Sequence, residues 1–242
     1  MSSHVSEKAP YAPGLLVSVR DSSEARDALA GGADIIDVKE PRLGSLGAAS
    51  FETLDSIVRC AQGRVPVTAA LGELVDFSPQ SLPAELFAAK VGLAGCYAET
   101  HPWQTKLAEC FDAFSAKRVA VAYADFQTCR APPPKEVGSA AIEFDCDFLL
   151  IDTHEKTCPL RELLRTTDIA EQLHATVALA QQNQVSIVVA GSLEVCDFRS
   201  ILSHWRPDFL AVRGAACVGN RTGKISREKV ETLKQALSIA AH

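Results

Sequence analysis

The chain has 242 residues, 47% of them hydrophobic and 22% charged, and its net charge is −6. That balance excludes disorder, collagen-like sequence and coiled coil. The acidity argues against a nucleic-acid coat, and no apolar run nears the ~18 residues of a membrane span. Met1–Pro13 has no apolar core of the signal-peptide kind and reads as a short polar extension. The eight cysteines form no C-x-x-C pair and keep no zinc-ligand spacing with the six histidines. A reduced, cytoplasmic protein with no metal is the expectation.

From residue 14 onward, strand-like and helix-like segments alternate. Gly14–Val19 (GLLVSV) reads as a strand, and Asp21–Ala30 follows as a helix with Asp21 and Glu24 at capping-box spacing. Ala25, Ala28 and Leu29 share its inward face. Asp34–Lys39 (DIIDVK) is the second strand; a Gly/Ser-rich loop, Arg42–Ser50, leads to a helix over Phe51–Cys60. Val65–Leu71 is the third strand, with a helix predicted around Leu82–Ala88, and Lys90–Ala94 is a short fourth strand. A helix near Trp103–Phe114 precedes the strong fifth strand Arg118–Asp125, and Asp147–Asp152 is the sixth. Ile169, Leu173, Val177 and Ala180 stripe a long helix. Val185–Ser192, a helix over Val195–Ser203, Asp208–Arg213 and a last helix capped by Ser226 complete the series.

Eight strand–helix units in about 240 residues predict a single (β/α)₈ barrel over residues 14–242. Most strands are continuously apolar, as parallel strands covered on both faces must be. A doubly wound sheet would need a reversed strand order and a G-x-G-x-x-G turn after a strand, and neither is found.

In such a barrel chemistry sits at the C-terminal ends of the strands. Those ends here carry Asp37 and Lys39, Lys90, Asp125, Asp152 and Arg213. Side chains alternate along a strand, so Ile35, Asp37 and Lys39 share one face while Ile36 and Val38 take the other, which suits the helix layer. Phe148, Leu150 and Asp152 are likewise separated from Leu149 and Ile151. Two readings stay open: a structural network of ion pairs, or a lysine whose proton affinity is depressed by a second cation and which attacks a carbonyl to form a Schiff base. Two lysines at strand ends in one barrel mouth favour the second, a class I aldolase type of site. Gly191 and Ser192 end strand seven, and Gly214 and Ala215 follow Arg213 after strand eight. Loops at these two places form phosphate cradles, so a phosphorylated small molecule is the expected ligand. Tyr123 is expected to pack with its hydroxyl satisfied, and His154 to be a solvated loop residue.

LLVSVRDSSEARDALAGGADIIDVKEPRLGSLGA, AAKVGL, LLIDTHEK, VVAGSL and VRGAAC occur in this order. Together, over roughly Leu15 to Leu233, the chain resembles the (5-formylfuran-3-yl)methyl phosphate synthases, also called 4-(hydroxymethyl)-2-furancarboxaldehyde-phosphate synthases, of methanofuran biosynthesis. The resemblance implies a (β/α)₈ lyase without cofactor that joins two molecules of glyceraldehyde 3-phosphate, releasing one phosphate and two waters. It implies that Lys39 forms the Schiff base, that Lys90 is the proton acceptor, and that Asp37, Asp152 and Lys156 support them. The loop after DTHEK, TCPLREL, departs from the family's Gly- and Lys-rich pattern at a place that bears on how the second triose is held. The expected tuning is that Lys90 depresses the proton affinity of Lys39, while a carboxylate pairs with Lys90 or Lys156 and leaves Lys39 the less compensated amine. The competing readings are another class I aldolase of triose phosphates and a non-catalytic barrel that binds a phosphorylated ligand. Neither a membrane nor a nucleic acid is an expected partner, and a homo-oligomer is compatible with the sequence.

Overall fold

The computed structural model describes residues 11, 13–98 and 102–241, so most of the polar stretch read over residues 1–13 lies outside the described residues. Eight parallel strands close into a barrel in chain order: β1 (Gly14–Val19), β2 (Ile35–Val38), β3 (Val67–Glu73), β4 (Ala88–Gly92), β5 (Lys117–Tyr123), β6 (Phe148–Asp152), β7 (Ser186–Val189) and β8 (Phe209–Val212). Strand β8 returns to β1 with Leu16 opposite Ala211, which leaves no sheet edge. The helices are α1 (Ser22–Ala30), α2 (Phe51–Ala61), α3 (Trp103–Asp112), α4 (Pro134–Glu143), the single turn α5 (Leu160–Leu163), α6 (Thr167–Gln182), α7 (Val195–Trp205) and α8 (Arg227–Ala240). Among the described residues no helix is long and apolar enough to cross a membrane.

The alternation read from the strands sorts the core into two layers. Ile36, Val38, Leu149 and Ile151 pack outward against the helices, whereas Ile35, Leu150, Val119 and Val188 fill the barrel. Each such side chain stabilises the fold by about 1.5–3 kcal/mol of apolar burial. Of the stripe read on α6, Leu173, Val177 and Ala180 are buried and Ile169 is half-buried, and in α8 Val230, Leu233 and Leu237 are buried. Ser226 caps α8 by accepting a hydrogen bond from the Lys229 amide.

Two local expectations are corrected. No helix forms around Leu82–Ala88, and the fourth strand begins at Ala88, two residues earlier than read. Pro83 lies inside the segment, the Leu86 amide closes a turn onto the Pro83 carbonyl, and the Phe87 amide already bonds Val67 on the neighbouring strand. The third unit therefore connects its strands through a 3₁₀ turn, Leu74–Asp76, and an extended chain. The capping box of α1 is only half made. Asp21 accepts from the Ser23 and Glu24 amides, but the Glu24 carboxylate turns away to the Arg20 amide and to the guanidinium groups of Arg20 and Arg213.

Candidate active site

Asp37, Lys39, Lys90, Asp152 and Lys156 all line one cavity in the C-terminal mouth of the barrel. Strand register explains why they meet. Ser18 of β1, Asp37 of β2 and Thr68 of β3 lie in one row across three strands, and Lys90 stands opposite Ala70, two residues further along β3. All these side chains take the inward phase.

The charges are arranged as two closed pairs around one open amine. Asp37 Oδ1 accepts from Lys90 Nζ and from Thr68 Oγ1 (2.7 Å), while Oδ2 accepts from Ser18 Oγ at 3.0 Å. Asp152 Oδ1 accepts from Lys156 Nζ at 2.7 Å and from the Thr153 amide at 2.7 Å, and Ser45 Oγ donates to its other oxygen at 3.3 Å. Lys156 also donates to the Thr153 carbonyl. Burial opposes the ionisation of both carboxylates, yet the adjacent ammonium groups outweigh it, Lys90 and Lys39 for Asp37 and Lys156 and Lys39 for Asp152; both stay below the usual aspartate range.

Lys39 follows β2 directly, its amide bonded to the Val19 carbonyl at 3.0 Å, so its backbone is held by the ladder. Only 8% of the residue is exposed. Among the described residues its Nζ has neither a hydrogen bond nor an ion pair. Its proton affinity falls to about 8; burial is the leading cause and the Lys156 cation the next, with Asp152 and Asp37 pulling upward and Lys90 adding least. One carboxylate was expected to pair with Lys90 or Lys156; both do, Asp37 with Lys90 and Asp152 with Lys156. The cation that weighs most is Lys156 and not the expected Lys90. An unpaired amine with this proton affinity is a nucleophile toward an aldehyde at neutral pH.

Gly191, Ser192, Arg213, Gly214 and Ala215 line the same cavity. The amides of Gly191, Ser192, Gly214 and Ala215 donate to no group among the described residues. Gly191 (φ 107°) and Ser192 (φ 55°) both take positive φ where the chain leaves β7 at the cavity. Arg213 is a correction to the expected phosphate ligand. Its guanidinium donates to the Arg221 carbonyl (2.7 Å), the Ser18 carbonyl (2.8 Å), both Glu24 oxygens and the Gly223 carbonyl (3.1 Å). All five donors are used inside the protein, so its role is to tie the loop after β8 to β1 and α1. Burial works against the Glu24 anion, but the bonds from Arg213 and Arg20 prevail and hold its carboxyl below the usual range.

Other charged strand ends are structural. Asp125 accepts from the His154 and Glu155 amides at 2.8 and 2.7 Å and so folds the turn that carries Lys156. Tyr123 is fully buried and donates to Glu73 at 2.7 Å, as the packing reading required, and burial raises the Glu73 carboxyl above its usual value. Sequence reading overlooked Ser18, Thr68, Ser45, Glu73 and Arg221. Ser18 and Thr68 were detectable, being polar residues at inward positions of apolar strands. Among the described residues no three His, Cys, Asp or Glu side chains converge as a metal site requires.

The sequence profile of the family described as 4-HFC-P synthase matches residues 15–234. The chain is 31% identical over 231 residues to a (5-formylfuran-3-yl)methyl phosphate synthase of Methanosarcina barkeri, covering 90% of this chain and 97% of that one. It is 32% identical over 235 residues to the protein of the same name from Methanocaldococcus jannaschii, with 91% and 98% covered. Among solved structures, phosphoribosyl anthranilate isomerase from Thermus thermophilus superposes with a TM-score of 0.62 over 93% of this chain and 98% of that chain, at 17% identity, a likeness of fold alone.

Proposed function

Because the chain belongs to the 4-HFC-P synthase family, we propose that it joins two molecules of glyceraldehyde 3-phosphate into 4-(hydroxymethyl)-2-furancarboxaldehyde phosphate through an imine on Lys39. The supporting observation is that, of the three lysines in the mouth, Lys39 alone lacks a carboxylate partner among the described residues. At pH 7 a group titrating near 8 is the free amine in roughly one molecule in ten, against one in three thousand at the usual lysine value of about 10.5.

The amine adds to the aldehyde carbon of the first triose and water leaves, giving an iminium. The iminium withdraws electrons from the adjacent carbon, whose proton passes to the Asp37–Lys90 pair, a unit able to take up and return one proton. The resulting enamine can expel the phosphate or attack the aldehyde of the second triose. Lys156, beside Asp152 at the rim, is placed to supply a proton to a departing oxygen. Water then hydrolyses the imine and frees Lys39. Over the cycle, six carbons from two trioses leave as one furan aldehyde monophosphate, with one phosphate and two waters; the ring's aromaticity draws the sequence forward. The amide cradle at Gly191, Ser192, Gly214 and Ala215 takes the phosphate of the imine-forming triose. A cytoplasmic setting suits a chain in which no disulfide is formed among the described residues.

Mass spectrometry of the products from glyceraldehyde 3-phosphate is the direct test. A furan aldehyde monophosphate with one phosphate released per two trioses supports the reading. A six-carbon bisphosphate would mark an ordinary class I aldolase, and unconsumed substrate a barrel that only binds.

A further inference from the structure

Two trioses bring two phosphate groups, and the amide cradle accounts for one. The remaining cation over the cavity is Arg221, on the loop after β8, a residue that sequence reading did not single out. It is half-buried, and among the described residues no carboxylate lies within ion-pair distance of it. Its side chain makes a single hydrogen bond among the described residues, from Nη2 to the Gly44 carbonyl at 3.4 Å, which leaves most of its donors without a protein partner. Burial lowers its proton affinity and the more distant Asp152 raises it; a guanidinium stays charged under both.

The loop is built to hold this side chain out. Arg213 Nε grips the Arg221 carbonyl, and Arg213 is itself anchored by the fully buried Glu24 ion pair. Asn220 closes the turn by accepting from the Thr222 amide at 2.9 Å, and the Val218 amide bonds Lys224 across the neck of the loop at 2.8 Å. The base of Arg221 lies over Gly214, where an added Cβ would sit 3.7 Å from the Arg221 Cβ. From there the side chain reaches Gly44 on the loop after β2. The charge is thereby carried from the cradle side of the mouth toward the strand that bears Lys39.

We propose that Arg221 is the phosphate ligand of the second triose phosphate, a subsite separate from the amide cradle. This rests on the two-triose reading above and deepens it. The forked guanidinium matches phosphate oxygens, and it lines the same cavity as Lys39 while hydrogen-bonding the loop after β2, away from the cradle glycines of β7.

The test compares wild type, Arg221→Gln and Arg221→Lys in two assays with glyceraldehyde 3-phosphate. Borohydride trapping reports the imine-forming triose; furan formation reports both. In Arg221→Gln the half-saturating concentration for trapping should stay within about twofold, whereas that for furan formation should rise by about tenfold or more, the loss expected for a charged hydrogen bond. Arg221→Lys, which keeps the charge and loses the fork, should fall between. Inorganic phosphate should inhibit furan formation less in Arg221→Gln than in wild type. Equal weakening of trapping and furan formation would overturn the proposal by placing Arg221 on the cradle's own phosphate, and unchanged half-saturation in both would overturn it outright. Retained trapping certifies the fold; should Arg221→Gln not fold, the same split in Arg221→Lys decides. If wild type forms no imine, the Lys39 reading fails instead, a distinct outcome.

Discussion

Replacing Lys156 by methionine removes the cation that, after burial, weighs most on the Lys39 amine. It also strips Asp152 of the ammonium bound at 2.7 Å, and Asp152 then pulls Lys39 toward the protonated form with only burial and Lys90 still opposing it. Both changes raise the proton affinity of Lys39 from about 8 toward the ordinary lysine value. If the midpoint climbs by only one pH unit, the free-amine fraction at pH 7 falls about tenfold, and a full return to the ordinary value would lower it about 300-fold. The assay is borohydride trapping by glyceraldehyde 3-phosphate from pH 6 to 10, on protein whose fold is checked by circular dichroism. Wild type should show a midpoint near 8, Lys156→Met an alkaline displacement of at least one pH unit, and Lys156→Arg a midpoint close to wild type because the charge remains. An unmoved midpoint in a folded Lys156→Met protein would refute the electrostatic reasoning.

Lys39→Met should abolish trapping and yet raise stability at neutral pH. The folded-state proton affinity is the lower one, so between about pH 8 and 10.5 the unfolded chain binds more protons and stability rises with pH; below 8 the burial of the ammonium costs its full amount, about 3 kcal/mol as an upper bound. The variant should therefore melt higher at pH 7, with the gain shrinking above pH 8; a lower melting temperature at pH 7 would contradict this. Lys90→Met leaves the buried Asp37 carboxylate with hydroxyl partners only and should cost about 3–5 kcal/mol in urea unfolding, with Asp37→Asn in the same chain recovering part of it. Turnover should drop in Lys90→Met while the trapping midpoint hardly moves, since Lys90 adds least to the Lys39 shift. Gly191→Ala puts a Cβ at φ 107° and 2.8 Å from Leu160 Cβ, and should cost about 1–3 kcal/mol and raise KM more than it lowers kcat; an unchanged KM would remove Gly191 from the phosphate cradle.

The barrel was legible because its strands obey a two-residue period and its helices a 3.6-residue one, and the strand period alone assigns Asp37, Lys39 and Asp152 to the mouth. Pairing was harder to read. Which carboxylate takes which lysine depends on the stagger between β2 and β4 and on a turn held by Asp125, and neither leaves a local signal. Leu82–Ala88 misled because its apolar residues fit a helix period, while Pro83 and the start of β4 at Ala88 leave no room for a helix. Arg213 looked like a phosphate ligand from its place after β8; its engagement with Glu24 is set by a contact 189 residues apart in sequence. Arg221 was invisible for the same reason, since its loop is oriented largely by arginines at the ends of β1 and β8 that reach across the fold.

The central claim is that Lys39 carries the covalent intermediate. Protein reduced with borohydride in the presence of glyceraldehyde 3-phosphate, then digested and sequenced by mass spectrometry, tests it most directly. The account predicts one triose-derived adduct per chain, on Lys39, absent from Lys39→Arg. An adduct mapped to Lys90 or Lys156 in the wild-type protein, or furan formation retained by Lys39→Arg, would contradict it.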